Sequence, residues 1–187
     1  CFRKVKFLEG FRVSPDGSLA AISLNRELFI VPFDRQRLQR VENKPDLLAM
    51  ENSCLYNQAA SKDIRWSSDG TQLAITFLDT SSRLNDKIRL LDNSTCPKAS
   101  PVFLTEFPHE DSLPEGYKNK PNIPGFDWDG DQLILFNDVM QNEGFGNLYL
   151  YDRTSQQISL LNPIEGTCCY RDARWSPDGQ QVLFLFQ

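Results

Sequence analysis

The stretch FRVSPDGSLAAIS, Phe11 to Ser23, decides the fold: a hydrophobic strand runs into an Asp-Gly turn and a second hydrophobic strand leaves it. The same design returns as IRWSSDGTQLAIT (Ile64 to Thr76), GFDWDGDQLILF (Gly125 to Phe136) and ARWSPDGQQVLFLF (Ala173 to Phe186). The turn glycines Gly17, Gly70, Gly130 and Gly179 recur at uneven intervals of about 50 to 60 residues, as loop insertions into one repeated unit produce. The turn chemistry is explicit. Pro15 and Pro177 pre-set φ at a corner, Asp bonds back to nearby N–H groups, and Gly takes the left-handed conformation that closes the hairpin.

Each repeat resolves into four short strands, a to d. In the first they are Phe7 to Val13, Leu19 to Leu24, Glu27 to Phe33 and Leu38 to Glu42. In the second they are Asp63 to Trp66, Gln72 to Leu78, Lys87 to Leu91 and Val102 to Phe107. In the third they are Ile123 to Asp127, Gln132 to Asn137, Asn147 to Asp152 and Gln157 to Leu161. The fourth holds only Asp172 to Trp175 and Gln181 to Phe186. Tandem four-stranded antiparallel units predict an all-β fold of propeller blades. The large apolar residue ahead of each turn (Val13, Trp66, Trp175, with Phe126 equivalent) is expected to anchor each sheet to its neighbour, while Trp128 falls at a turn corner and is expected to be exposed.

The motif W-S-P-D-G followed by an apolar strand resembles the WD40-like (PD40-type) repeat of TolB-like β-propellers, a repeat that also precedes some serine-peptidase domains. The resemblance covers most of the chain and implies a partial propeller, one domain over residues 1–187, of about three and a half blades. Their bounds are 6–44, 62–108, 123–162 and 171–187. Propellers close with four or more blades, so the expectation is a piece of a longer protein or self-association of two copies to complete a ring. The resemblance also implies export to the periplasm, the cell surface or beyond. Cys1 in first place reads either as an arbitrary cut or as the acylated cysteine of a bacterial lipoprotein.

Composition narrows the function classes. Hydrophobic residues make up 40 % and charged residues 24 %, ordinary for a globular domain, and no apolar run is long enough to span a membrane as a helix. The net charge of -5, with no Lys/Arg-rich stretch carrying interleaved aromatics, argues against nucleic acid as a partner. No G-x-S-x-G is present and the single histidine leaves little room for a triad. No Walker, Rossmann or zinc pattern occurs, so no cofactor is expected. His109, Glu110, Asp111 and Glu115 cluster in one loop but lack the alternating spacing and glycine of a calcium loop, and read as a solvated acidic segment.

Candidate binding residues lie on the innermost strands. Asp63-x-Arg65 and Asp172-x-Arg174 repeat a polar pair at i and i+2, and Arg12 holds the same place in the first repeat. Ion pairs between blades are the favoured reading; an Arg-lined channel that captures a carboxylate is the alternative. Exposed aromatics at Trp128, Tyr117 and Phe145 would suit a sugar-binding or lyase-type propeller.

Long connections mark where recognition is expected: the d-to-a crossovers Asn43 to Lys62, Pro108 to Asn122 and Asn162 to Arg171, and the b–c loops Asp79 to Asp86 and Asp138 to Gly146. On the opposite end the a–b turns are tight, and only the c–d connection Asn93 to Ser100 is enlarged. This placement sets Cys54 and Cys96 at opposite ends and disfavours a bridge between them, whereas Cys1 and Cys54 could join neighbouring crossovers. The functional expectation is a non-enzymatic module that binds a protein or peptide through its crossover loops. The alternative is a propeller that gates an attached hydrolase or peptidase domain.

Overall fold

The computed structural model describes residues 8–57, 63–78, 86–96, 99–108, 125–128, 133–139, 146–164 and 169–186. The chain divides into two compact bodies, Cys1–Phe77 with Arg89–Thr105, and Leu78–Ile88 with Glu106–Gln187. The strands form antiparallel meanders in sequence order. The first sheet is β1 (Leu8–Val13), β2 (Leu19–Leu24), β3 (Glu27–Pro32) and β4 (Cys54–Tyr56). The second is β5 (Ile64–Trp66), β6 (Gln72–Leu78), β7 (Asp86–Asp92) and β8 (Val102–Phe107). The third comprises β9 (Phe126–Asp127), β10 (Leu133–Val139), β11 (Gly146–Asp152) and β12 (Gln157–Leu160). The hairpin of β13 (Tyr170–Trp175) and β14 (Val182–Phe186) joins it through the single residue pair Gly146–Tyr170.

The three described Asp-Gly turns hold their hairpins by one repeated hydrogen-bond set. Ser14 Oγ donates to Asp16 Oδ1 (2.6 Å) and accepts from Leu19 N–H (2.9 Å), while Asp16 Oδ1 accepts from Ser18 N–H (3.0 Å). Ser67, Asp69, Thr71 and Gln72 repeat this, as do Ser176, Asp178, Gln180 and Gln181. Gly17, Gly70 and Gly179 close the turns at φ +75°, +73° and +66°, where a side chain would be strained.

The first repeat departs from its expected strands. Residues 38–42 are not the fourth strand of the first repeat: Arg35–Leu38 is a short helix (α1) capped by Asp34, and Lys44–Leu48 is a second (α2). Asn43 and Asp46 form a reciprocal capping box at α2, with Pro45 in the first turn. The fourth strand is Cys54–Tyr56, paired Leu28–Tyr56, Phe29–Leu55 and Ile30–Cys54, so the first blade runs on to residue 56 rather than ending at 44. Residues 33–53 are therefore a c–d insertion, and Asn43 to Lys62 is not a crossover.

This correction moves Cys54 to the start of an outer strand, at the same end of its sheet as the c–d turns. Cys54 and Cys96 are disulfide-bonded with Cα atoms 5.9 Å apart, against the sequence expectation, and a Cys1–Cys54 bridge is thereby excluded. Cys169 is disulfide-bonded as well. Tyr56 adds a second tie, since its hydroxyl accepts from Arg89 Nη1 (3.1 Å) on β7. Closing a separation of 42 residues is worth roughly 2–4 kcal/mol. Cys96→Ser is expected to lower the thermal midpoint by about 5–15 °C, and non-reducing peptide mapping of the parent chain to return the Cys54–Cys96 dipeptide link.

Candidate functional site

The arginines on the first strand of three hairpins share one local geometry. Arg12, Arg65 and Arg174 each fold back so that Nη1 donates to the carbonyl of the preceding residue, Phe11 (2.9 Å), Ile64 (3.0 Å) and Ala173 (2.8 Å). In the first body Asp63 joins two of them: Oδ1 accepts from Arg65 Nη1, from Arg12 Nη2 at 3.4 Å and from Ile64 N–H at 3.1 Å. The Asp63 and Arg65 side chains are only 11 % and 13 % exposed, whereas Arg12 is 49 % exposed. Arg12 on β1 and Asp63 just before β5 thus form an ion pair between two sheets. Beside it Trp66 Nε1 donates to Arg12 O (3.3 Å), and Trp66 packs among Ala21, Leu28, Ile30, Ile64 and Leu73. Trp66 is the expected anchor between sheets.

The second body does not repeat the pair. β13 carries a bulge between Arg171 and Arg174, and Asp172 sits at φ +54° within it. The bulge turns the Asp172 carboxylate toward Arg171 Nε (2.8 Å) and away from Arg174. Arg174 donates only to the carbonyls of Ala173 and Phe126 (3.5 Å) and has no carboxylate partner among the described residues. The link between hairpins passes instead from Trp175 N–H to Asp127 Oδ2 (2.8 Å). Trp175 Nε1 is buried with no hydrogen-bond partner among the described residues.

Trp128 is 3 % exposed with the Arg153 guanidinium 5.0 Å over its ring, so it is a buried stacking residue rather than an exposed platform for a sugar. Tyr117, Phe145, Cys1 and the His109, Glu110, Asp111 and Glu115 cluster lie outside the described residues. Among the described residues no group of three His, Cys, Asp or Glu side chains could hold a metal ion, and no helix is long and apolar enough to cross a membrane.

Two features escaped the sequence reading. Arg89 is buried with its guanidinium 3.7 Å over Phe77 and 5.2 Å from Phe103. Asp34, Asp92 and Asp152 each open a connection after a third strand and accept backbone N–H bonds two residues on, from Gln36 (2.9 Å), Ser94 (2.7 Å) and Thr154 (2.8 Å). The strings FDRQ, LDNS and YDRT carried that second signal.

No family model and no curated protein matches the chain in sequence. Solved structures do match in fold. The Cps50 (Swd1) β-propeller domain of Myceliophteria thermophila aligns at TM-score 0.63 and 14 % identity, over 96 % of this chain and 50 % of that one. A putative TolB from Agrobacterium tumefaciens aligns at 0.56 and 17 %, over 95 % and 53 %. Hydrazine synthase of Kuenenia stuttgartiensis aligns at 0.60 and 14 %, over 95 % and 49 %. The fold is a partial β-propeller. The chain spans about half the length of these three chains.

Two outcomes follow for the propeller's polar network. Asp63→Asn leaves the mostly buried Arg65 without its counter-charge and is expected to cost about 2–4 kcal/mol in urea unfolding, whereas Arg12→Ala costs less than about 1 kcal/mol. In the turns, the hydroxyls of Ser14 and then Ser18, with the Ser18 N–H, hold the Asp16 carboxyl down to about 2, and Ser67 and Ser176 lower Asp69 and Asp178 in the same way. A carboxyl depressed by folding contributes stability above its unfolded pKa near 4 and loses it as pH falls toward about 2. Carbon-13 titration should find Asp16 near 2 in the parent and raised toward the ordinary value in Ser14→Ala.

Proposed function

We propose that this propeller segment is a non-enzymatic module that binds a protein or peptide partner through the connections at the crossover end of its blades. The observation that carries this reading is the fate of the long connections at the two ends. The insertion 33–53 is consumed by packing on its own sheet, and the connection after β7 is tied down by Cys96. The residues left to recognition are the crossovers 57–63, 108–125 and 161–169 and the b–c connections 79–85 and 140–145, carried on rigid strands.

The disulfide at Cys54 and Cys96 supports residence in an oxidising compartment, such as the periplasm or the cell exterior. Cross-linking followed by mass spectrometry, on the chain in its native compartment, tests the reading. Partner cross-links are expected within 79–85, 108–125 or 140–145. Replacing 110–121 with a Gly-Ser linker should weaken the captured partner at least tenfold while moving the thermal midpoint by less than about 2 °C. Cross-links confined to 33–53 and 93–101, or binding unchanged after the replacement, would overturn it.

A further inference from the structure

The first sheet is apolar on both faces, and the register separates them. One face carries Ala21–Ile30 and Leu28 opposite Ser23; the other carries Ala20–Val31 and Ile22–Phe29, with Leu24 beyond. A sheet of this kind must be covered twice, and in a closed propeller a neighbouring blade does so on each side. The first face is covered in the ordinary way: Ala21, Leu28 and Ile30 pack with Ile64, Trp66, Leu73, Ile75 and Leu91 of the second sheet.

The opposite face is covered by something else. Ala20, Ile22, Leu24, Phe29 and Val31 pack with Leu38, Val41, Leu47 and Met50 of the insertion, and all nine are buried. The insertion runs the whole length of the strands. It leaves β3 at the c–d end, where Phe33 N–H bonds Ser18 O (2.8 Å), and reaches the other end, where Lys44 Nζ bonds Glu27 Oε1 at 2.6 Å. The six residues of β3 lie between these points, about 17 Å of strand. Its outer side is mostly polar, with Arg35, Gln36, Arg37, Gln39, Arg40, Glu42 and Asn43 exposed, and carries two exposed apolar side chains, Phe33 and Leu48. An apolar underside with a mainly polar outer face is the design of a capping element in a repeat array.

We propose that residues 33–53 are an intramolecular cap that takes the place of a neighbouring blade on the outer face of the first sheet. That face then docks no further blade, whether from the same chain or from a second copy, so a second copy cannot complete a ring against it. The cap is fixed at both ends, by the Lys44–Glu27 pair and by the Cys54–Cys96 disulfide that follows it. Its helices are too short to persist without the sheet beneath them.

Sedimentation velocity and apolar-dye binding on the 187-residue chain test the proposal through Leu47→Asp, which puts a charge at the buried centre of the cap. The variant is expected to bind several-fold more dye than the parent and to show a sedimentation coefficient that rises with concentration beyond the parent's, with its strand circular dichroism retained. Dye binding and sedimentation equal to the parent's would overturn the cap. If Leu47→Asp loses its strand signal, Lys44→Glu decides, because it alters only the rim. It should speed amide exchange at Leu38 and Ala49 by roughly threefold, leave β6 amides unchanged, and be restored by adding Glu27→Lys. Exchange at Leu38 and Ala49 that ignores both substitutions would also overturn the proposal.

Discussion

A sheet with two apolar faces has to bury both, and the described structure is organised around that demand. The first sheet meets it with the second sheet on one side and its own insertion on the other. In the second body Leu148 and Leu150 pack with Tyr170, Ala173, Trp175 and Phe184 of the following hairpin. Hydrogen bonds add direction at these seams rather than the main driving force. The indole of Trp66 reaches the carbonyl of Arg12, and Ile164 N–H reaches the Tyr170 hydroxyl (2.9 Å). The ion pair of Arg12 with Asp63 belongs to the same seam, with Arg65 completing the charge balance of a largely buried carboxylate.

The turns make these surfaces reproducible. A serine, an aspartate and a left-handed glycine bring the two strands of a hairpin out in fixed register, so the residue two places before the aspartate's serine partner always reaches the same strand face. The Asp turns at 34, 92 and 152 serve the far side of each third strand by related chemistry. At the first of them the chain passes into a short helix whose leading N–H groups, Gln36 and Arg37, Asp34 caps; Asp152 accepts the equivalent pair from Thr154 and Ser155 and leads into a tight turn. The insertion begins with the same residue that elsewhere starts a short return.

Much of the fold was legible because strand alternation and Asp-Gly turns coincide. The second repeat's outer strand, Val102 to Phe107, was read to the residue. The first repeat's was missed because Leu38 and Val41, like Leu47 and Met50, recur at i and i+3; that is helical spacing, and Asp34 and Asn43-Lys44-Pro45-Asp46 are cap signals. The misplaced strand inverted the end to which Cys54 belongs, and so the disulfide. At the site, the i and i+2 pairing of Asp63 and Arg65 was readable from alternation. The equivalent Asp172 and Arg174 pair was not, since a bulge adds a residue that no alternation rule foresees. Arg89 reads as one charge in the apolar strand KIRLL, and its burial beneath Phe77 depends on a neighbour distant in sequence.

The outer face of the first sheet is covered from within the chain. A methyl nuclear Overhauser spectrum of the chain labelled at Ile, Leu, Val and Met measures it directly. The structure predicts cross-peaks that join Leu47 and Met50 to Ile22 and Val31. Leu47 and Met50 methyls that see only each other, with Ile22 and Val31 contacting no residue of 33–53, would contradict it.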